Sequence, residues 1–471
     1  MAELTIIQSG KESRYSFAEP MLLSDALATF GYMVPHPCGR RGTCKKCTVQ
    51  VNGASVLACR TMLFEDAEVI LPEREEIVSV TGAEESGQMS GQVCLCLDIG
   101  TTTLALVLIS LSEGSMIRSM TAPNPQRAFG TDVISRIDYC TKHGPNEMQK
   151  VLLEKVREMI SGLLSAFSLP FVDTLYVAGN TTMLHLFFGV DCASMGVSPY
   201  TPAFLCQRFE SGEALGLCGV NSVVSMPGIA AFVGADIVAG IRYVGMPQKG
   251  KHSILLDLGT NAEIALLSEN RILCTAAAAG PCFEGANISC GMSASPGAVC
   301  AVTEYGICTV IGDGEAKGLC ATGLIDAVAM GVRKDVIDET GYLEDETMEV
   351  CPRVILTQKD VREFQLAKSA IRAGVECLIH QAGISFADIS RFYVAGGFSA
   401  GLNVDNAAFI GLIPEVLKEK FVGINNASLL GCVKYACEPE KHVLPLAEAH
   451  YVDLSADPLF TQLFMEYMMF G

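Results

Sequence analysis

The chain has 471 residues, 50% hydrophobic and 18% charged, a mixture that excludes a largely disordered polypeptide. Its 33 Lys plus Arg against 52 Asp plus Glu leave a formal net charge of −19, which speaks against a nucleic-acid partner because phosphate backbones select a basic face. The 20 cysteines are too sparse for a disulfide scaffold of this length and suit a reducing compartment with one metal site.

Residues 1–82 read as a small β-rich unit. TIIQSGKESRYSF predicts two strands around a Ser9-Gly10 turn, and MLLSDALATFG predicts a short helix ended by Gly31. The start of the chain has no basic-then-apolar run, so no secretory signal is expected. Cys38, Cys44 and Cys47 then form a C-x5-C-x2-C run, and Cys59 follows after eleven residues. Four thiolates converging on one point suit an iron–sulfur cluster, with Gly39 and Gly42 letting a tight loop wrap around it. Asn52-Gly53 in TVQVNGASVLA favours a type I′ hairpin turn. That turn sets Val51 opposite Ala54 and Cys47 opposite Ala58, which brings Cys59 beside Cys47 and makes it the best fourth ligand. A four-Cys zinc site and a lone CKKC redox pair are the competing readings, although structural zinc usually pairs two C-x2-C units. Arg40, Arg41, Lys45 and Lys46 either balance a negative cluster or dock an acidic protein.

Residues 83–92, AEESGQMSGQ, read as a linker. VCLCLDIGTTTLALVLISL at 93–111 carries Asp98, Gly100 and three threonines at its centre, so two buried strands around a polar turn are expected, and no membrane span. From there to 471 apolar strands such as LYVAG, SILLDLG and RFYVAGG alternate with amphipathic helices such as MQKVLLEKVREMISGLLSAF and KDVREFQLAKSAIRAGVECLI, an α/β pattern. LDIGTTTLALVL at 97–108 aligns with LDLGTNAEIALL at 256–267, and LYVAGNTT at 175–182 with FYVAGGFS at 392–399. Two pairs in the same order predict a duplication, with one lobe at 93–245 and a second at 246–471.

The aligned turns carry the chemistry. Asp98, Gly100, Thr101, Thr102 and Thr103 form one; Asp257, Gly259, Thr260 and Asn261 form the other. Glycine lets the backbone approach a phosphate, turn N–H groups and threonine hydroxyls supply donors, and the preceding carboxylate can hold water around Mg²⁺. Two such turns facing across a cleft would grip a nucleotide triphosphate. No G-x-x-x-x-G-K-[ST] run is present, so a P-loop is not the nucleotide site. Asp236 in VGADIVAGI reads either as a helix cap or as an acid at the site. AAAAGPCFEGANISCGMSASPGA at 276–298 has Glu284 as its only charge and suits a cleft lining, a subunit contact or a plain loop equally. Cys282, Cys290, Cys300, Cys308 and Cys320 read as buried free thiols, with a second cluster as the alternative.

The cysteine run within a β-grasp pattern resembles plant-type and adrenodoxin-like ferredoxin domains with a 2Fe–2S cluster. The paired turns resemble the phosphate 1 and phosphate 2 motifs of the actin–sugar kinase–heat-shock ATPase superfamily. In that resemblance VAGNTTM, with Asn180, Thr181 and Thr182, is the connecting segment. VAGGFSAG, with Gly396 and Gly397, is the adenosine motif, and Asp236 orients the attacking water. The implied fold is an N-terminal β-grasp ferredoxin-like domain joined to a two-lobed actin-like, ribonuclease H-like ATPase domain. The combination, together with GPCFEGANISCGM, resembles the reductive activators of corrinoid proteins. It implies one-electron reduction of Co(II) to Co(I) in a corrinoid protein, with a 2Fe–2S cluster, ATP and Mg²⁺. It also implies a homodimer; an upstream low-potential electron donor is expected, and the missing signal together with an oxygen-sensitive cluster predicts a cytoplasmic location. The competing readings are an activator of radical dehydratases, a small-molecule kinase with a regulatory cluster and a nucleotide-switched redox sensor.

Overall fold

The computed structural model describes residues 2–8, 11–18, 20–30, 32, 34, 47–71, 92–312, 314–439 and 444–470. Cys38, Cys44, the Ser9-Gly10 turn and all of the 83–92 linker but its last residue lie outside them.

The N-terminal unit is a five-stranded sheet built from β1 (Ala2–Gln8), β2 (Lys11–Phe17), β3 (Thr48–Val51), β4 (Ala54–Leu57) and β5 (Ala67–Ile70), in the order β2-β1-β5-β3-β4. β1 and β5 run parallel and the other pairs antiparallel. Helix α1 (Leu23–Thr29) contributes Leu23, Ala26 and Leu27 to a core shared with Leu4, Ile6, Val49 and Val69. Asn52 and Gly53 take φ values of 49° and 80°, the left-handed pair that a two-residue type I′ turn requires. The turn sets the register Val51 to Ala54 and Thr48 to Leu57, and the Ala58 N–H then donates to the Cys47 carbonyl at 3.0 Å.

The apolar run at 93–111 forms two antiparallel strands, β6 (Val93–Ile99) and β7 (Thr103–Ser110), with Leu97 opposite Leu106. Among the described residues no helix is long and apolar enough to cross a membrane. The first lobe continues with β8 (Ser115–Pro123), α2 (Val133–His143), α3 (Asn146–Ala166), β9 (Val172–Gly179), α4 (Thr181–Phe187), β10 (Phe209–Ser211), β11 (Val220–Ser225) and α5 (Ala235–Val244). Its sheet order is β8-β7-β6-β9-β11-β10.

The second lobe repeats this plan. β12 (His252–Leu258), β13 (Ala262–Ser268) and β14 (Arg271–Ala277) form an antiparallel meander. A small three-stranded sheet follows, with β15 (Ala298–Val302), β16 (Cys308–Val310) and β17 (Gly318–Leu319). Then come α6 (Ala321–Arg333), the hairpin β18 (Thr347–Cys351) and β19 (Val354–Thr357), α7 (Gln358–Ala382), β20 (Ile389–Ala395), α8 (Val404–Phe409), β21 (Phe421–Ile424), α9 (Ala427–Cys437), β22 (Ala449–Tyr451) and α10 (Pro458–Glu466). The large sheet runs β21-β20-β12-β13-β14-β22. In both lobes the first three strands are antiparallel, and the next two stack parallel on the other side of the first. The duplication expected from the two aligned segment pairs is therefore present in the topology.

A third repeated segment pair is visible only in the fold. GADIVAGIRYV at the start of α5 corresponds to NASLLGCVKYA at the start of α9. Each helix lies between the lobes. Ile237 and Ile241 of α5 pack with Leu255 and Ala265 of the second lobe, while Leu429 and Cys432 of α9 join the first lobe's core. The two helices touch where Gly431 passes Ala239: a Cβ on Gly431 would come within 1.8 Å of the Ala239 carbonyl oxygen.

Candidate functional site

Each lobe ends its first strand in a glycine turn. The Gly100 N–H donates to the Thr103 carbonyl at 3.0 Å, and a Cβ on Gly100 would come within 2.6 Å of that oxygen, so the turn accepts no larger residue. The Gly259 N–H makes the matching bond to the Asn261 carbonyl at 3.0 Å. Behind each turn a strand end closes in. Gly179 (φ 154°) and Gly396 (φ 119°) occupy equivalent places, and a Cβ there would lie 2.8 Å from the Ile99 oxygen and 2.4 Å from the Leu258 oxygen. Gly397 faces open space, with nothing within 4 Å of its ideal Cβ.

The first turn is fixed from beneath. Asn124 Nδ2 donates to the Gly100 carbonyl at 2.8 Å, and Asn180 Nδ2 donates to Thr101 Oγ1 at 3.1 Å while its own oxygen caps α4. Arg136, fully buried on α2, donates through Nε to the Gly130 carbonyl at 2.8 Å and through Nη2 to the Thr101 carbonyl at 2.5 Å. Burial lowers its pKa to about 9. Sequence reasoning passed over Arg136. The available signal is a lone charge in register with the apolar face of α2, which Val133, Ile137 and Cys140 form.

The two turns meet on one carboxylate. Thr102 Oγ1 donates to Glu284 Oε2 at 2.8 Å, and Thr260 Oγ1 donates to Glu284 Oε1 at 3.0 Å. Of the three settings open to segment 276–298, the structure thus places Glu284 in the cleft between the lobes.

The remaining acids are arranged unequally about the repeat. Asp98 accepts from Ser428 Oγ at 2.6 Å and from Asn426 Nδ2 at 2.9 Å, both at the start of α9. Burial raises the Asp98 pKa against these bonds, which lower it. Asp257, its counterpart, is pushed up to about 7 by burial and then by the charge of Asp98. Asp236 stands at the start of α5, where the other repeat has Ser428, and its Oδ1 accepts from the Ile237 N–H at 2.8 Å. Burial, and next the charge of Asp257, raises its pKa. Glu263, directly across the strands from Asp257 and so on the same face of the sheet, is raised by burial and then by Asp236 and Asp257. Sequence reasoning did not single out Glu263. Of the predicted threonines, Thr181 and Thr182 are buried: Thr181 Oγ1 donates to the Ala230 carbonyl at 2.7 Å, and Thr182 Oγ1 has no hydrogen-bond partner among the described residues.

In the N-terminal unit the Cys47 and Cys59 Sγ atoms lie 3.3 Å apart, Cys47 at the head of β3 and Cys59 in the 3-10 turn Ala58–Arg60. Two adjacent buried thiols form half of the donor set a 2Fe–2S cluster needs, and no third ligating side chain joins them among the described residues.

Residues 93–249 match the family model of the RACo middle region, and residues 251–471 match the C-terminal domain of RACo, the ASKHA domain. The chain is 31% identical over 458 residues to the corrinoid activation enzyme RamQ of Eubacterium limosum, an alignment covering 87% of this chain and 75% of that protein. It is 29% identical over 374 residues to the Co(II) methylated amine-specific corrinoid protein reductase of Methanosarcina barkeri, covering 71% and 68%. A solved structure of a reductive activator for a corrinoid, iron–sulfur protein matches with a TM-score of 0.72 and 25% identity, over 100% of this chain and 98% of that one.

Proposed function

The chain belongs to the family of reductive activators of corrinoid proteins, and on that premise we propose that it couples ATP to the one-electron reduction of Co(II) to Co(I) in a corrinoid protein. The observation that carries this reading is the meeting of two duplicated phosphate turns, one from each lobe, close enough for Thr102 and Thr260 to share a single carboxylate.

The thiol chemistry fits the cluster. Cys38, Cys44, Cys47 and Cys59 would hold it, and when bound it supplies a one-electron carrier. In the cleft, Gly100, Thr101, Thr102 and Thr103 with Gly259, Thr260 and Asn261 supply turn N–H groups and hydroxyls for the phosphates of ATP. Asn180 orients the Thr101 hydroxyl. Thr181 ties the start of α4 to the Ala230 carbonyl ahead of α5. Gly396 permits the close strand approach, and the open face of Gly397 leaves room for adenosine. Asp257 and Asp236, with hydrogen bonds from no side chain among the described residues, suit the water shell of Mg²⁺ and the orientation of the attacking water. Asp98, already held by α9, ties the first turn to the second lobe.

Reaching Co(I) is strongly reducing, which gives the ATPase its purpose. A nucleotide-linked difference in affinity of about 3 kcal/mol amounts to roughly 130 mV, since about 59 mV corresponds to about 1.4 kcal/mol for one electron. The family likeness carries the upstream low-potential donor and the homodimer, and an oxygen-sensitive cluster suits a cytoplasmic setting.

The test is anaerobic. The reduced protein is mixed with a Co(II) corrinoid protein from the same host, and the Co(I) absorbance is followed with and without Mg–ATP. ATP should be required for Co(I) formation, and Asp257→Ala should remove at least ten-fold of the stimulation while leaving the cluster reducible. ATP-stimulated reduction that survives Asp257→Ala would refute coupling through the second phosphate turn.

A further inference from the structure

Glu284 holds both hydroxyls that a phosphate between the lobes would need. Each of its oxygens accepts from a different lobe, Oε2 from Thr102 and Oε1 from Thr260. A hydroxyl has one proton to donate, so neither threonine can donate to a phosphate oxygen while it donates to Glu284. The carboxylate also interacts with Glu263, whose charge opposes a further anion, and with the buried cation Arg136, which favours one. That balance accommodates one anion between the turns, either carboxylate or phosphate.

The residue is mounted where its displacement would be felt. It ends the 3-10 turn Pro281–Glu284, between Gly280 (φ 73°) and Gly285 (φ 77°). Its neighbour Phe283 stacks on Phe398 of the glycine-rich VAGGFSAG segment, with centroids 5.6 Å apart. A few residues on, the Ser289 N–H donates to Asp360 Oδ1 at 2.8 Å, while Asp360 Oδ2 accepts from the Thr357 N–H at the start of α7. A carboxylate leaving the two threonines therefore moves a segment packed against both the second lobe's strand end and its longest helix.

We propose that Glu284 is an internal anion occupying the phosphate position, which incoming nucleotide must displace, so that this residue sets nucleotide affinity and relays occupancy through residues 280–292. The inference rests on the nucleotide reading of the cleft given above. It makes Glu284 a positioning residue that acts through Thr102 and Thr260.

The test compares the full-length protein with Glu284→Gln and Glu284→Ala. Titration calorimetry measures binding of Mg–ATP and of pyrophosphate alone, and hydrogen exchange is followed over 280–292. Both variants should bind both ligands at least five-fold more tightly than the parent. In the parent, Mg–ATP should accelerate exchange across 280–292, and Glu284→Ala should exchange at the accelerated rate with no nucleotide added. Glu284→Gln keeps the side-chain volume and one acceptor, so it reports even where the alanine variant folds poorly. Equal or weaker binding by the variants, with a parent that binds Mg–ATP, overturns the displacement proposal alone, as does exchange over 280–292 that ignores nucleotide. A parent that binds no Mg–ATP overturns the nucleotide reading itself.

Discussion

Arg136 sits beneath the first glycine–threonine turn with its guanidinium satisfied by the carbonyl oxygens of Gly130 and Thr101. Replacing it with methionine keeps the volume and leaves those buried acceptors without donors, at a cost of about 2–3 kcal/mol. The expected outcome for Arg136→Met is a melting temperature lower by roughly 5 °C, with Mg–ATP affinity falling as the turn loses its support; scanning calorimetry and nucleotide titration check the two halves. This is the scale at which sequence reading reaches furthest and also misses. The hairpin that sets Cys59 beside Cys47 was legible because Asn52-Gly53 dictates register locally, over a few residues. The glycine–threonine turns were legible for the same reason. Arg136 was not, and the setting of Glu284 stayed open among three, because the partners that decide them, Thr101 and Thr102, lie 35 and 182 residues away and only the assembled fold selects them.

Helices α5 and α9 are the elements that join the lobes, and their crossing depends on the absence of a side chain at Gly431. The obstacle to a Cβ there is backbone, the Ala239 carbonyl oxygen at 1.8 Å, so no rotamer change relieves it. Gly431→Val should destabilise the protein by about 2–3 kcal/mol or more and abolish nucleotide-dependent protection between the lobes, both readable by thermal melting with and without Mg–ATP. A variant that melts like the parent would show that the helices do not cross this tightly. Their relation as a repeat escaped sequence comparison because only Ala235 with Ala427 and Tyr243 with Tyr435 are identical in the aligned segments, the rest being apolar exchanges. The larger repeats were readable because strand-turn motifs constrain residue type at each place, whereas a buried helix face constrains only size and polarity. The late helix α9 packing into the first lobe's core likewise has no local signature.

For the whole molecule, folding gathers Asp98, Asp236, Asp257 and Glu263 from both lobes and raises all four pKa values, chiefly through burial. Raised carboxyl pKa values mean that the folded chain binds more protons than the unfolded chain, so stability declines as pH rises through that interval. The window opens near the ordinary carboxylate range of about 4 and extends through about 7, the value Asp257 reaches, with Glu263 also held well above its ordinary value. Without divalent cation the melting temperature should therefore be lower at pH 8 than at pH 6, and added Mg²⁺ should narrow the gap by neutralising the ionised acids. Calorimetry under anaerobic conditions decides this; a melting temperature that rises from pH 6 to pH 8 would show that the acids are already compensated.

A cleft made from two copies of one plan could receive an elongated ligand in either of two directions. The copies differ where it matters: α5 begins with Asp236 and α9 with Ser428, whose hydroxyl is already engaged with Asp98. Behind the strands, the first lobe fills the position after its glycine with Asn180, a helix cap, while the second leaves Gly397 open. Both differences break the pseudo-twofold in the same sense. On the nucleotide reading proposed above, they assign a single polarity to ATP, phosphates toward Asp236 and Asp257 and base toward Gly397, and hence a stoichiometry of one nucleotide per chain.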